Sequence, residues 1–179
     1  MLSDQDFLRY QRQISLPEIG ECGQEKIIQS HVLIIGCGGL GSAASLYLAA
    51  AGVGRMVLVD DDEVDLSNLQ RQIVHTTDRI GQPKVDSAKH SLQALNPTIT
   101  VETIGQRLVG EALDQQVAQA DLVVDCTDNF TTRFALNRAC VAHKTPLVSG
   151  AAIRMEGQVA VYDPRHDDSP CYQCLYKEG

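Results

Sequence analysis

Short, unbroken apolar runs alternate along the 179-residue chain with longer stretches of helical spacing. Residues 32–35 (VLII) and 56–59 (MVLV) are continuous apolar runs, as expected of strands covered on both faces. Further strands are predicted at 99–104, which alternates, at 122–125 and at 147–149. Helices are predicted between them: 41–51, stopped by Gly52 and Gly54; 83–95, stopped by Asn96 and Pro97; 110–119; and 131–143, with Phe134, Leu136 and Val141 turned inward. Residues 61–79 are polar and read as a loop with a short helix. Residues 157–162 alternate and are expected to leave the parallel layer. Strand–helix alternation of this kind implies an α/β fold: a Rossmann-like, mostly parallel sheet with helices on both faces.

Residues 1–30 read as an N-terminal helical arm. Ser3 with Asp6 three positions on resembles a capping box, with Asp in place of Glu. Pro17, Gly20 and Gly23 are expected to break the arm before a short helix at 24–30. Residues 31–179 then form the nucleotide-binding unit, so the chain is effectively one domain.

Fifteen basic against 23 acidic residues give a net charge of -8, which disfavours nonspecific nucleic-acid binding. The first residues are acidic and polar, unlike a signal peptide. No apolar stretch approaches the ~18 residues of a membrane span. A cytoplasmic location is therefore expected, with six cysteines reduced or metal-bound. Cys22, Cys37, Cys126 and Cys140 read as packing residues in or beside core elements.

Candidate chemistry begins at Gly36, Gly38 and Gly41, a G-x-G-x-x-G turn between a strand and a helix, with Gly39 inside it. The first glycine permits the turn, the second lets the backbone approach phosphate, and the third lets the helix pack on the sheet. The following helix N-terminus favours an anion. Asp60 ends the next strand, where a carboxylate can accept both ribose hydroxyls. Asp61, Asp62, Glu63 and Asp65 follow it, and a solvated loop accounts for several of them. Asn68, Arg71 and Gln72 come next, then Lys84. A planar fork and a movable point charge suit a triphosphate better than the diphosphate of a nicotinamide cofactor. Asp128, just past a strand end, could hold magnesium or could cap the helix that follows.

The motifs GCGGLG (36–41), LSNLQRQ (66–72), QPK (82–84), DCTDN (125–129) and PCYQC (170–174) occur in one order. With the segment RYQRQ (9–13) near the start, this order resembles the HesA/MoeB/ThiF family, bacterial relatives of ubiquitin-activating enzymes. The resemblance covers essentially the whole chain. It implies an E1-like adenylyltransferase that joins AMP from ATP to the C-terminal glycine of a ubiquitin-like sulfur carrier, releasing pyrophosphate. It further implies that Asp60 binds ribose, that Asn68, Arg71 and Lys84 contact phosphates, and that Asp128 coordinates Mg2+. Arg12 would be an arginine finger serving the other subunit of a homodimer. The carrier would be ThiS (thiamine) or MoaD (molybdenum cofactor), and a sulfur donor such as a cysteine desulfurase or rhodanese would act next. RLVGEAL (107–113) looks like ThiF members and SGAAIRMEGQ (149–158) like MoeB members, with the balance slightly toward ThiF.

Family members hold Zn2+ through two C-x-x-C pairs. Cys171 and Cys174 match the first, while the second lies beyond this sequence, so a tightly held zinc is not expected here. The chain is accordingly expected to be a C-terminally shortened member. Two other readings stay open: an NAD-dependent oxidoreductase, and a noncatalytic module that binds nucleotide or dimerises.

Overall fold

A computed structural model describes residues 1–177. Six strands form one sheet in the order β3-β2-β1-β4-β5-β6: β1 (His31–Ile35), β2 (Arg55–Val59), β3 (Thr100–Ile104), β4 (Leu122–Asp125), β5 (Leu147–Ile153) and β6 (Glu156–Tyr162). All neighbours are parallel except β5 and β6. The expected α/β class is therefore observed. Residues 157–162, expected to leave the parallel layer, do so as part of β6, which turns back and forms the antiparallel edge of the sheet. β5 is also longer than predicted, because residues beyond Ser149 outrun β4 and pair only with β6.

Alternate residues of the central strands feed two cores, since side chains of a strand point to opposite faces. Val32, Ile34, Met56 and Leu58 pack with Ala49 of α3 (Gly39–Ala51) and with Val85 and Leu92 of α4 (Lys84–Leu95). Leu33, Ile35, Val57 and Val123 pack on the other face. Their partners are Leu113 and Val117 of α5 (Gly110–Gln119) and Phe134 and Leu136 of α6 (Phe130–His143). Val141 was expected inward on α6 but is exposed. It lies five residues past Leu136, about 140° around the helix at 100° per residue, and Ala139 and Cys140 take the inward face instead.

The arm is built as α1 (Asp4–Ile14) and α2 (Gly20–Gln29). Ser3 and Asp6 form a reciprocal capping box, so Asp substitutes for Glu. α2 starts four residues before the predicted position. Gly20, at φ 58, turns the chain into the helix rather than out of it. Cys22, expected beside the core, is exposed on this helix. Buried Tyr10 accepts a 2.9 Å bond from Asn96 Nδ2, and Gln13 and Gln24 both donate to the Ala51 carbonyl. These bonds lock the arm against α3 and the end of α4. At Gly52 a Cβ would sit 2.5 Å from the Tyr10 ring, so the same glycine ends α3 and admits Tyr10.

Helix α7 (Tyr172–Leu175) closes the described chain. Its Tyr172 ring meets Phe134 and Tyr162 edge-on and stacks on Tyr176.

Candidate functional site

Strand order reverses between β1 and β4, and an open α/β sheet leaves a crevice at the carboxyl ends of such strands. A cleft of about 820 Å³ lies there, lined by the glycine loop, Asp60, Arg71, Lys84 and Asp128. These five segments, far apart in sequence, thus meet at one place.

The glycine loop is shaped by contacts that no side chain would allow. Gly36 has φ 96, and a Cβ on it would lie 2.8 Å from the Cys126 carbonyl oxygen. A Cβ on Gly41 would lie 1.9 Å from the Gly36 carbonyl oxygen. Gly38 differs: its Cβ would meet nothing nearer than Gln72 Nε2 at 3.6 Å, so its bare backbone faces open cleft. Asp60 braces this loop. One carboxylate oxygen accepts from the Cys37 N–H at 2.7 Å and the other from the Asp62 N–H at 2.9 Å.

The basic segment is cross-linked to itself. Asn68 Oδ1 accepts from Arg71 Nη2 at 3.1 Å and from Gln72 Nε2 at 3.2 Å. Gln72 is buried along the cleft wall, and its Oε1 has no partner among the described residues. Lys84 begins α4, 5% exposed, and donates to Asp62 Oδ2 at 2.7 Å. The acidic run after β2 is therefore partly compensated: Asp60 holds backbone, Asp62 holds Lys84, and Asp61 lies 3.9 Å from Arg107.

On the opposite wall Asn129, not Asp128, caps α6 by accepting from the Thr132 N–H at 2.9 Å. Asp128 is exposed to the cleft and makes no hydrogen bond among the described residues. Of its two sequence readings, the helix cap is overturned. Beneath it lies a buried network. Asp125 accepts from Ser149 Oγ at 2.7 Å and from Thr127 N–H and Oγ1. Arg133 donates to the carbonyls of Thr127 and Gly150 and to Ser149 Oγ.

Asp60, Asn68, Arg71, Lys84, Asp128 and the glycines are thus brought together. Arg12 is not; it is exposed near the end of α1 and does not line this cleft. Cys171 and Cys174 lie elsewhere, at α7, with sulfurs 3.6 Å apart. Among the described residues no further ligand joins them in a group of three, so they supply two zinc ligands and not four. Burial is the main influence raising the Cys171 thiol, yet hydrogen bonds involving Asn137 and Cys174 outweigh it and lower its pKa. Burial pushes Cys126 and Cys140 up to about 12 and Cys37 higher still, so these three are inert thiols.

Sequence reasoning missed His75, Ser149 and Arg133. For Arg133 a signal existed: a charged residue on the same helical face as Leu136 and Cys140. His75 had none.

Fold and cleft together define an α/β protein of the Rossmann-like, nucleotide-binding class, with Arg71 and Lys84 lining the same cleft as the glycine loop. The ThiF family model matches residues 10–179, and the chain belongs to that family. It is 52% identical over 178 residues to the sulfur carrier protein ThiS adenylyltransferase of Escherichia coli, covering 99% of this chain and 70% of that one. It is 53% identical over 174 residues to the molybdopterin-synthase adenylyltransferase of the same organism, covering 97% and 70%. Among solved structures, E. coli MccB with ATP superposes with a TM-score of 0.78 at 28% identity, covering 87% of this chain and 46% of that one. PaaA gives 0.81 at 31%, covering 91% and 53%. The chain spans about half the length of these solved structures.

Among the described residues no helix is long and apolar enough to cross a membrane.

Proposed function

We propose that this chain is an ATP-dependent adenylyltransferase acting on the C-terminal glycine of a ubiquitin-like sulfur carrier. The observation that carries the reading is a single cleft lined by the glycine loop, Asp60, Arg71 and Lys84, with Asn68 bonded to Arg71. A diphosphate is served by a glycine loop and helix N-terminus alone, whereas these cations suit a longer phosphate chain. The names of the two E. coli relatives support the carrier class: ThiS for one, the molybdopterin synthase system for the other.

The chemistry needs no general base, because the carrier's carboxylate is already a nucleophile. Its oxygen attacks the α-phosphorus, the bond to the bridging oxygen breaks, and pyrophosphate leaves with that electron pair. The products are an acyl-adenylate and pyrophosphate. Asp60 orients the ribose, the Gly38 backbone approaches phosphate, and Arg71 and Lys84 stabilise the leaving charge. Lys84 exchanges Asp62 for phosphate when ATP enters. Asp128, exposed to the cleft, fits a magnesium ligand; Mg2+ bound with ATP would neutralise phosphate charge there. The thiol pair does not fit a closed zinc site, and no step runs through zinc.

Arg12, exposed and outside its own cleft, serves the cleft of a second copy in a homodimer. A sulfur donor, of the cysteine desulfurase or rhodanese kind, then takes the adenylate onward. The location is the cytoplasm, where ATP is supplied.

ATP–pyrophosphate exchange with purified ThiS and MoaD in separate reactions tests the reading. Carrier-dependent exchange is the expected result and names the pathway. Magnesium-dependent ATP binding without exchange on either carrier would reduce the chain to a binding module, and binding of NAD in preference to ATP would overturn the reading.

A further inference from the structure

The glycine loop, the basic segment and α4 share one buried group, His75. The residue is 5% exposed. Its Nε2 lies 3.0 Å from the Cys37 carbonyl oxygen and its Nδ1 lies 3.0 Å from Ser87 Oγ. A carbonyl only accepts, so in the neutral ring Nε2 carries the hydrogen and Nδ1 accepts from the Ser87 hydroxyl. Burial lowers the His75 pKa and favours that neutral ring.

The Cys37 carbonyl belongs to the peptide that ends in the Gly38 N–H. That peptide is trans, and in a planar trans peptide the C=O and N–H point in opposite directions. Drawing the carbonyl onto His75, on the buried side, turns the Gly38 N–H away from His75. Gly38 lines the cleft, and its N–H has no acceptor among the described residues. The other end of the ring reaches the first turn of α4, since Ser87 is three residues past Lys84. The His75 backbone N–H also donates to the Gln72 carbonyl at 3.1 Å, next to Arg71. One side chain therefore cross-braces the three segments that line the phosphate end.

We propose that His75 is a positioning residue that aims the Gly38 N–H at the phosphates of a nucleoside triphosphate. The identity of that ligand rests on the adenylation reading; the cross-brace itself does not.

Three variants separate the ring's two bonds. In His75→Gln the amide nitrogen reaches the Nε2 position and keeps the Cys37 bond. In His75→Asn the shorter amide reaches only the Nδ1 position and keeps the Ser87 bond. His75→Phe keeps the ring and neither bond. Binding of ATP with Mg2+ and of adenosine is measured by calorimetry on each, alongside a thermal melt. Asn and Phe should weaken ATP roughly tenfold, in line with loss of one buried hydrogen bond, while Gln stays within about threefold. Adenosine, having no phosphate, should bind all four proteins alike. Unchanged ATP affinity in the Asn and Phe variants overturns the inference. So does a parallel loss of ATP, adenosine and melting temperature, which would mark His75 as a packing residue. Failure of the unmodified chain to bind ATP would instead strike the adenylation reading, and the inference with it.

Discussion

Arg133 Nη1 lies 4.0 Å from Asp125 Oδ2, and both side chains are buried under the Asp128 loop. The guanidinium is satisfied by carbonyls of Thr127 and Gly150, so it ties the end of β4 to β5 as well as balancing a charge. Arg133→Met leaves the Asp125 carboxylate buried without the guanidinium beside it. The expected cost is about 3 kcal/mol of folding stability, read from a denaturant midpoint. An unchanged midpoint would mean that the hydroxyls of Ser149 and Thr127 suffice for Asp125.

Lys84 is held by Asp62, whose side chain is mostly exposed. A surface partner of this kind contributes little to stability but competes for the lysine. Lys84→Met should reduce pyrophosphate exchange by about 10²–10³, the usual loss for one charge-stabilising donor. Asp62→Asn should act the other way on binding, tightening ATP by about threefold with little change in melting temperature. Weaker ATP binding in Asp62→Asn would show that Asp62 positions the lysine instead of competing for it.

Two glycines of the same loop should respond differently to alanine. At Gly41 the new methyl collides with backbone, so Gly41→Ala should cost about 3 kcal/mol of stability. At Gly38 the methyl meets only ordinary contacts, so Gly38→Ala should keep the wild-type melt yet weaken ATP roughly tenfold by standing where phosphate approaches. Melting and calorimetry on the pair would contradict this if both variants lost stability equally.

Alkylation should sort the cysteines by environment. Cys37, Cys126 and Cys140 hold their protons, through burial above all. Iodoacetamide near neutral pH should modify Cys171, Cys174 and exposed Cys22 in the native protein, and all six only after unfolding. Native labelling of Cys126, found by peptide mass spectrometry, would count against the packed loop described above.

His75 should make the fold sensitive to mild acid. Burial depresses its pKa below the ordinary 6.5, and Lys84 and Arg79 act in the same direction; the Cys37 carbonyl and Asp60 oppose them and are outweighed. A depressed folded pKa gives stability that is fully present above 6.5 and is lost as pH falls from there through the lower folded value. Melting temperature should therefore drop as pH falls below about 6.5, and the drop should be smaller in His75→Gln, which does not titrate there. Equal drops in both proteins would remove His75 from the account.

Local rules were enough for much of this protein. Continuous apolar runs marked β1 and β2, because a strand buried on both faces has no polar side. Glycine and proline marked the ends of α3 and α4, and G-x-G-x-x-G before an acidic strand end located the cleft, since backbone geometry at those positions depends on the residue itself. The resemblance supplied the roles proposed for Arg71, Lys84 and Asp128. Tertiary structure decided what depends on partners distant in sequence. Whether Asp128 or Asn129 caps α6 turns on which side chain reaches the Thr132 N–H. How 157–162 leaves the parallel layer, as an antiparallel edge of the same sheet, turns on pairing with β5. That a histidine 38 residues from Cys37 should hold its carbonyl, or that Arg133 should find Gly150, has no local signature. Periodicity reports which face of an element is buried; only the packed chain decides what that face meets.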